Sequence, residues 1–146
     1  MPDSLEPTLL YVMKQLELSI RARLDDMFRP EGMTALQYTA LTVLERHPDL
    51  TSAQLARNSF VTNQSMADMI TFLEGRELIE RHRDPADRRR LVIALTASGR
   101  RLLRKYRGRV AELETEMLKG LADEQAAELR RSILLCRANL ASHEPR

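Results

Sequence analysis

Arg88, Arg89 and Arg90 stand in a row, directly after a short stretch holding Asp84, Pro85 and Asp87. Guanidinium groups carry a permanent charge and a planar fork of N–H donors, so three together suit the oxygens of phosphate and the acceptor edge of guanine. For this chemistry to work, the three side chains must be held out into solvent. The flanking sequence provides for that, because residues 78–83 and 91–95 both read as short strands and Pro85 falls between them, where a missing N–H is harmless. Residues 78–95 therefore read as a β-hairpin whose basic tip projects from the body. On its second arm Leu91, Ile93 and Leu95 share one face, while Val92 and Ala94 share the other.

The charge of the chain is concentrated around this hairpin. Residues 76–109 contain 12 Lys or Arg against 4 acids, a local net of +8 in a protein whose formal net charge is +2, so the remainder carries −6. A polyanion would meet a basic stripe on an otherwise acidic molecule, the electrostatic footprint of a nucleic-acid face.

Other chemistries find little support. The histidines His47, His82 and His143 are far apart in sequence, and neither a phosphate loop nor a nucleophile elbow is present. An enzyme, a bound metal and a cofactor are therefore not expected. His82 is expected to be a solvated strand residue. The single cysteine, Cys136, permits no intramolecular disulfide and is expected to be buried and inert on an apolar helical stripe. No apolar run exceeds five residues and the opening residues lack a basic-then-apolar leader, so no membrane partner and a cytoplasmic location are expected.

The elements that must position the hairpin read as helices. Apolar residues at spacings of three and four predict a long amphipathic helix over residues 5–28. Thr34 and Gln37 have capping-box spacing and open a second helix with Leu36, Ala40, Val43 and Leu44 inward; Thr51 and Gln54 open a short third one. Thr62 is the expected N-cap of a fourth, whose stripe Met66, Met69, Ile70 and Leu73 faces the core. The outward side of its start then carries Asn63, Gln64 and Ser65, with Asp68 and Thr71 further along.

Helix, short helix, turn, helix and hairpin, over residues 34–96, is the order of a winged helix-turn-helix. In that arrangement Thr62, Asn63, Gln64 and Ser65 are candidates to touch base edges and phosphates, and Arg83, Arg88, Arg89 and Arg90 supply the cations. After Thr96 a long helix and then a last helix, capped by Asp123 and carrying Leu129, Ile133, Cys136 and Leu140 on one stripe, occupy residues 97–141, followed by a short frayed tail. The long terminal helices, 5–28 and 97–141, bring more apolar stripe than a chain of 146 residues can cover alone. A symmetric dimer joined through them is the economical solution, which makes the expected fold mainly α with a small β-hairpin wing. Met27, Phe28, Met33 and Tyr38 could line a small cleft between the dimerisation helices and the core.

The segment DPADRRRLVIALTASG, within a match that runs over nearly the whole chain, resembles the wing of the multiple-antibiotic-resistance regulator (MarR) family of bacterial transcription factors. The resemblance implies that Asp87 holds the wing tip and that Arg89 enters the minor groove of double-stranded DNA. It also implies a single unit spanning residues 1–146, a homodimer acting as repressor at an operator, and release by a small aromatic or lipophilic inducer. Family members carry glycine where this chain has Glu77, so the turn into the wing is expected to differ. The alternative function is a non-specific architectural DNA binder or protein-interaction module without an inducer.

Overall fold

The computed structural model describes residues 5–141. The expectations of a leader-free start and a frayed tail rest in part on residues 1–4 and 142–146, and His143 also lies outside the described residues. Helix α1 spans Leu9–Phe28 and ends in a 3-10 turn, Arg29–Glu31. Helices α2 (Ala35–Arg46), α3 (Ser52–Asn58) and α4 (Asn63–Gly75) follow. Strands β1 (Ile79–Arg83) and β2 (Leu91–Leu95) form the hairpin, and α5 (Ala97–Met117) and α6 (Asp123–Leu140) close the chain. This is a mostly helical winged fold.

Local chemistry accounts for most of these boundaries. Thr34 and Thr51 each accept a hydrogen bond from the backbone N–H of Gln37 and Gln54 at 3.2 Å, and each glutamine side chain returns one from the threonine N–H at 2.9 and 3.0 Å. Both capping boxes are therefore complete, satisfying N–H groups that a helix start leaves orphaned. Helix α1 begins four residues later than its periodicity suggests. Pro7 disfavours helical backbone at the residue before it, and the Thr8 hydroxyl instead caps the helix by accepting from Tyr11 N–H at 3.2 Å. Asp123 is the first helical residue of α6 rather than its cap. Ala122 holds the cap position, with its N–H donating to the Gln125 side chain at 2.8 Å.

Packing divides the chain into two compact units, Met1–Tyr106 and Arg107–Arg146. The core of the first is built from Phe28, Leu41, Leu44, Leu55, Met66, Leu73, Ile79, Val92 and Ile93, all fully buried. Leu36, expected inside, lies on the exposed side of α2, and Leu41 takes the inward place. The hairpin pairs Ile79 with Leu95 through Arg83 with Leu91, antiparallel. Val92 and Ile93 are both buried, so both faces of β2 are covered near its middle, whereas Leu91 next to the tip is exposed. Along its other edge β2 meets Leu50, whose carbonyl accepts from Ile93 N–H at 2.7 Å in an isolated bridge.

Two backbone features seat the hairpin. A Cβ at Gly99 would lie 2.2 Å from the Leu78 carbonyl oxygen, so only glycine lets the start of α5 approach the entry to β1 this closely. Glu77 adopts the left-handed conformation, φ 58°, at the position where glycine was the family expectation. The left-handed step is thus kept, held by Leu78 N–H to Leu73 carbonyl at 3.0 Å and by the Thr96 hydroxyl donating to the Glu77 carbonyl at 2.6 Å. Glycine supplies φ > 0 without strain, whereas glutamate adopts it at a cost of about 1–2 kcal/mol.

In the second unit no residue of α6 is buried. Leu129, Ile133 and Leu140 are exposed, and Cys136, expected inside, is exposed as well. The stripe has the helical spacing read from sequence, but among the described residues nothing buries it.

Candidate nucleic-acid interface

The tip of the hairpin is a structured loop. Asp84 N–H donates to the Arg90 carbonyl at 2.9 Å, Asp87 N–H to the Asp84 carbonyl at 3.1 Å, and Arg90 N–H to the Asp87 carbonyl at 2.9 Å. Each aspartate side chain also accepts from the backbone two residues on, Asp84 from Ala86 N–H at 2.9 Å and Asp87 from Arg89 N–H at 3.1 Å. These local turns are why aspartate suits both positions. The Asp87 carboxylate also lies 3.5 Å from the Arg89 guanidinium, whose side chain is 95% exposed. An arginine is thereby held out into solvent on a loop braced by these five hydrogen bonds. Arg83, Arg88 and Arg90 are exposed beside it.

The other arm of the site is the start of α4. Thr62 is the N-cap, and its hydroxyl accepts from Ser65 N–H at 3.1 Å while donating to the Ser65 hydroxyl at the same distance. Thr62 and Ser65 are thus engaged in capping. Asn63 and Gln64, also exposed, carry the amides of the first turn, each able to offer donor and acceptor together. Asp68 and Thr71 are exposed as well, but the Thr71 hydroxyl donates back to the Ala67 carbonyl at 3.1 Å. The inward stripe is as the spacing implied: Met66, Met69, Ile70 and Leu73 are buried.

Several contacts that stiffen the hairpin left no sequence signal. His82 is half-buried and its Nε2 lies 3.0 Å from the Asp49 carboxylate, which joins β1 to the loop before α3 instead of leaving a solvated imidazole. Arg81 Nε donates to Glu74 of α4 at 3.1 Å. These pairs connect residues 33 and 7 positions apart across different elements, a separation that no local period marks.

Of the candidate cleft residues, Phe28 and Met33 are buried core, while Met27 and Tyr38 are partly exposed. The Phe28 ring stacks on Tyr38 with centroids 4.3 Å apart and tilts against Tyr106 at 4.8 Å, so aromatic packing already fills its surroundings. Beside this cluster Glu31 accepts from Tyr106 Oη at 2.8 Å and from Lys105 Nζ at 2.9 Å. Those bonds, the Lys105 one foremost, hold the Glu31 carboxyl below its ordinary pKa against the opposing effect of burial. Arg76, the C-cap of α4, donates to the Glu31 carbonyl at 2.6 Å.

No helix among the described residues is long and apolar enough to cross a membrane. Nor, among them, does any cluster of His, Cys, Asp and Glu have the composition to hold a metal ion.

A capped helix with amides at its exposed start, followed by a hairpin with an arginine-bearing tip, defines the winged helix-turn-helix class. Within that class the chain is similar to the MarR family, whose model matches residues 33–91. It is 28% identical over 123 residues to the HTH-type transcriptional repressor Mb2911 of Mycobacterium bovis, covering 84% of this chain and 88% of that one. Among solved structures it is similar to the transcriptional repressor CouR bound to a 23-mer DNA duplex, with 27% identity, a TM-score of 0.74 and coverage of 90% and 92%. The MepR–DNA complex of S. aureus shares the fold at a TM-score of 0.80 and 24% identity, covering 92% of this chain and all of that one.

Proposed function

We propose that this protein is a homodimeric, sequence-specific transcriptional repressor that reads a pseudo-palindromic operator. The observation that carries this reading is the pairing, within one compact unit, of exposed Asn63 and Gln64 at the start of α4 with the solvent-held Arg89 of the hairpin tip. Asn63 and Gln64 read base edges in the major groove, and the α4 N-terminus capped by Thr62 and Ser65 meets a phosphate. Arg83, Arg88 and Arg90 contact the backbone; Arg89, oriented by Asp87, enters the minor groove. The MarR relatives, named as repressors or solved on DNA, support the same reading.

Pairing of two chains is supported by uncovered apolar faces. Leu9, Leu10, Val12, Met13 and Leu16 are exposed on α1, and Leu129, Ile133, Leu134 and Leu140 on α6. Exposed runs of this kind mark association surfaces. Two cores then meet half-sites about one helical turn, roughly 10 base pairs, apart. Relief by a small aromatic or lipophilic compound is the finest part of the proposal. It rests on the family resemblance and on partly exposed Met27 and Tyr38, whereas Phe28 and Met33 are already packed and would have to move. A regulator of this kind works in the cytoplasm.

The test is a gel-shift titration of the protein against duplex from upstream of its own coding region, with unrelated DNA as competitor. A repressor keeps a preference of about a thousand-fold or more for one inverted repeat. Equal affinity for both DNAs would mean an architectural binder instead.

A further inference from the structure

The outward face of α4 runs out of hydrogen-bond donors after its first turn. Met66, Met69, Ile70 and Leu73 are buried, so the face opposite them carries Gln64, Ala67, Asp68 and Thr71, all exposed. Gln64 and Asp68 are four apart and Asp68 and Thr71 three apart, spacings that set side chains next to one another on a helix. The Gln64 amide can both donate and accept, whereas the carboxylate of Asp68 only accepts. Thr71 is left with acceptor capacity alone, because its hydroxyl proton is committed to the Ala67 carbonyl at 3.1 Å. The Ala67 side chain adds no polar group. The charges follow the same pattern: α4 holds no Lys, Arg or His, and its charged residues are Asp68 and Glu74. Glu74 is taken up by Arg81 of β1, whose Nε donates to it at 3.1 Å. Among the described residues no ion pair or hydrogen bond engages the Asp68 side chain. A carboxylate in the middle of a face set against DNA is repelled by phosphate, and it needs a base edge that donates.

Resting on the DNA-binding reading above, we propose that Asp68 is a specificity-determining residue that selects cytosine at one fixed base pair of each half-site, by accepting from the cytosine N4 amino group. In the major groove guanine offers only the acceptors N7 and O6, and thymine offers O4 and a methyl group, so neither can pair with a carboxylate. Adenine donates through N6 but places its N7 acceptor alongside, where a carboxylate oxygen meets repulsion. Cytosine presents its amino donor without a neighbouring acceptor on the same base. Thr71, an acceptor on the same side, offers guanine nothing either. The arginines of the hairpin attract any duplex; Asp68 discriminates, as much by the uncompensated charge it sets against a wrong base as by the bond it makes to the right one.

The experiment uses duplexes from upstream of the coding region in which each base pair of the bound half-sites is changed in turn to the other three. Fluorescence anisotropy gives the affinity of the full-length parent, Asp68→Ala and Asp68→Asn for every duplex, and the thermal midpoint of each free protein checks its fold. The parent is expected to prefer cytosine about tenfold at one base pair of each half-site. Asp68→Ala is expected to level the four bases there, and Asp68→Asn to move the preference to adenine, which an amide pairs through N6 and N7. Preferences at the other positions and the midpoints are expected to stay as in the parent. Both variants lose a charge that repels phosphate, so both should gain affinity for random DNA. Base preferences in Asp68→Ala identical to the parent's, whether or not affinity rises throughout, overturn the proposal and leave the repressor reading intact. So does a loss of preference at a base pair where the parent selects a base other than cytosine. A parent that binds all the duplexes equally, or none, overturns both readings.

Discussion

Asp87 holds Arg89 twice, accepting from its backbone N–H at 3.1 Å and facing its guanidinium Nε at 3.5 Å. One carboxylate thus sets both the loop conformation and the direction of the side chain it supports. Arg89 is almost fully exposed, so this pairing contributes little to stability, and its effect falls on where the guanidinium sits.

Replacing Asp87 by alanine separates orientation from charge. The change removes a negative group near the phosphates, which strengthens non-specific attraction, and it frees Arg89, which weakens the specific complex. The ratio of operator to random-DNA affinity is therefore the informative quantity, and it is expected to fall about three- to tenfold, the equivalent of one hydrogen bond. An unchanged ratio in a competition gel shift would show that Asp87 does not orient Arg89.

Glycine and glutamate stand in exchanged places at the entry to the wing. Glu77 is left-handed, whereas Gly75 ends α4 with open space around the position a Cβ would take. Glu77→Gly should stabilise the fold by about 0.5–1 kcal/mol once the greater freedom of glycine in the unfolded chain is subtracted. Gly75→Ala should add a similar amount through helix propensity. Each raises the thermal midpoint by about 2–4 °C at this chain length. A lower midpoint for Glu77→Gly would mean that its side chain makes a contact outweighing the strain.

Glu31 gives the fold a dependence on pH. Its pKa is lowered by Lys105 and Tyr106, so the unfolded chain binds the proton more readily. The stabilisation is then full above the ordinary glutamate pKa and fades as pH falls through the lower folded value. Glu31→Gln should cost about 1 kcal/mol near pH 7 in urea unfolding, with the gap closing below about pH 4. A gap that is constant down to acid pH would assign the loss to packing.

How far the sequence foretold this molecule depends on the range of each signal. The paired caps at Thr34 with Gln37 and Thr51 with Gln54, the Thr62 cap and the stripe from Met66 to Leu73 are encoded within four to seven residues, and each is found as read. The hairpin is equally local. Leu36 falls within the α2 stripe by spacing and Leu41 to one side of it, yet Leu36 is exposed and Leu41 buried, because tertiary packing decides which is covered. Cys136 was misjudged because an apolar stripe reports a face that seeks cover without saying whether its own chain supplies it. Leu50, Asp49 and Glu31 act through contacts with distant elements, which no periodicity records.

The central claim is that charged groups on the hairpin grip DNA, and ionic strength tests it most directly. Anisotropy titrations of the parent and of Arg89→Ala on one upstream duplex, from about 50 to 200 mM salt, give the slope of log affinity against log salt for each. The account predicts a steep linear fall for the parent and a slope smaller by about one for Arg89→Ala. Affinity indifferent to salt, or identical slopes for the two proteins, would contradict it.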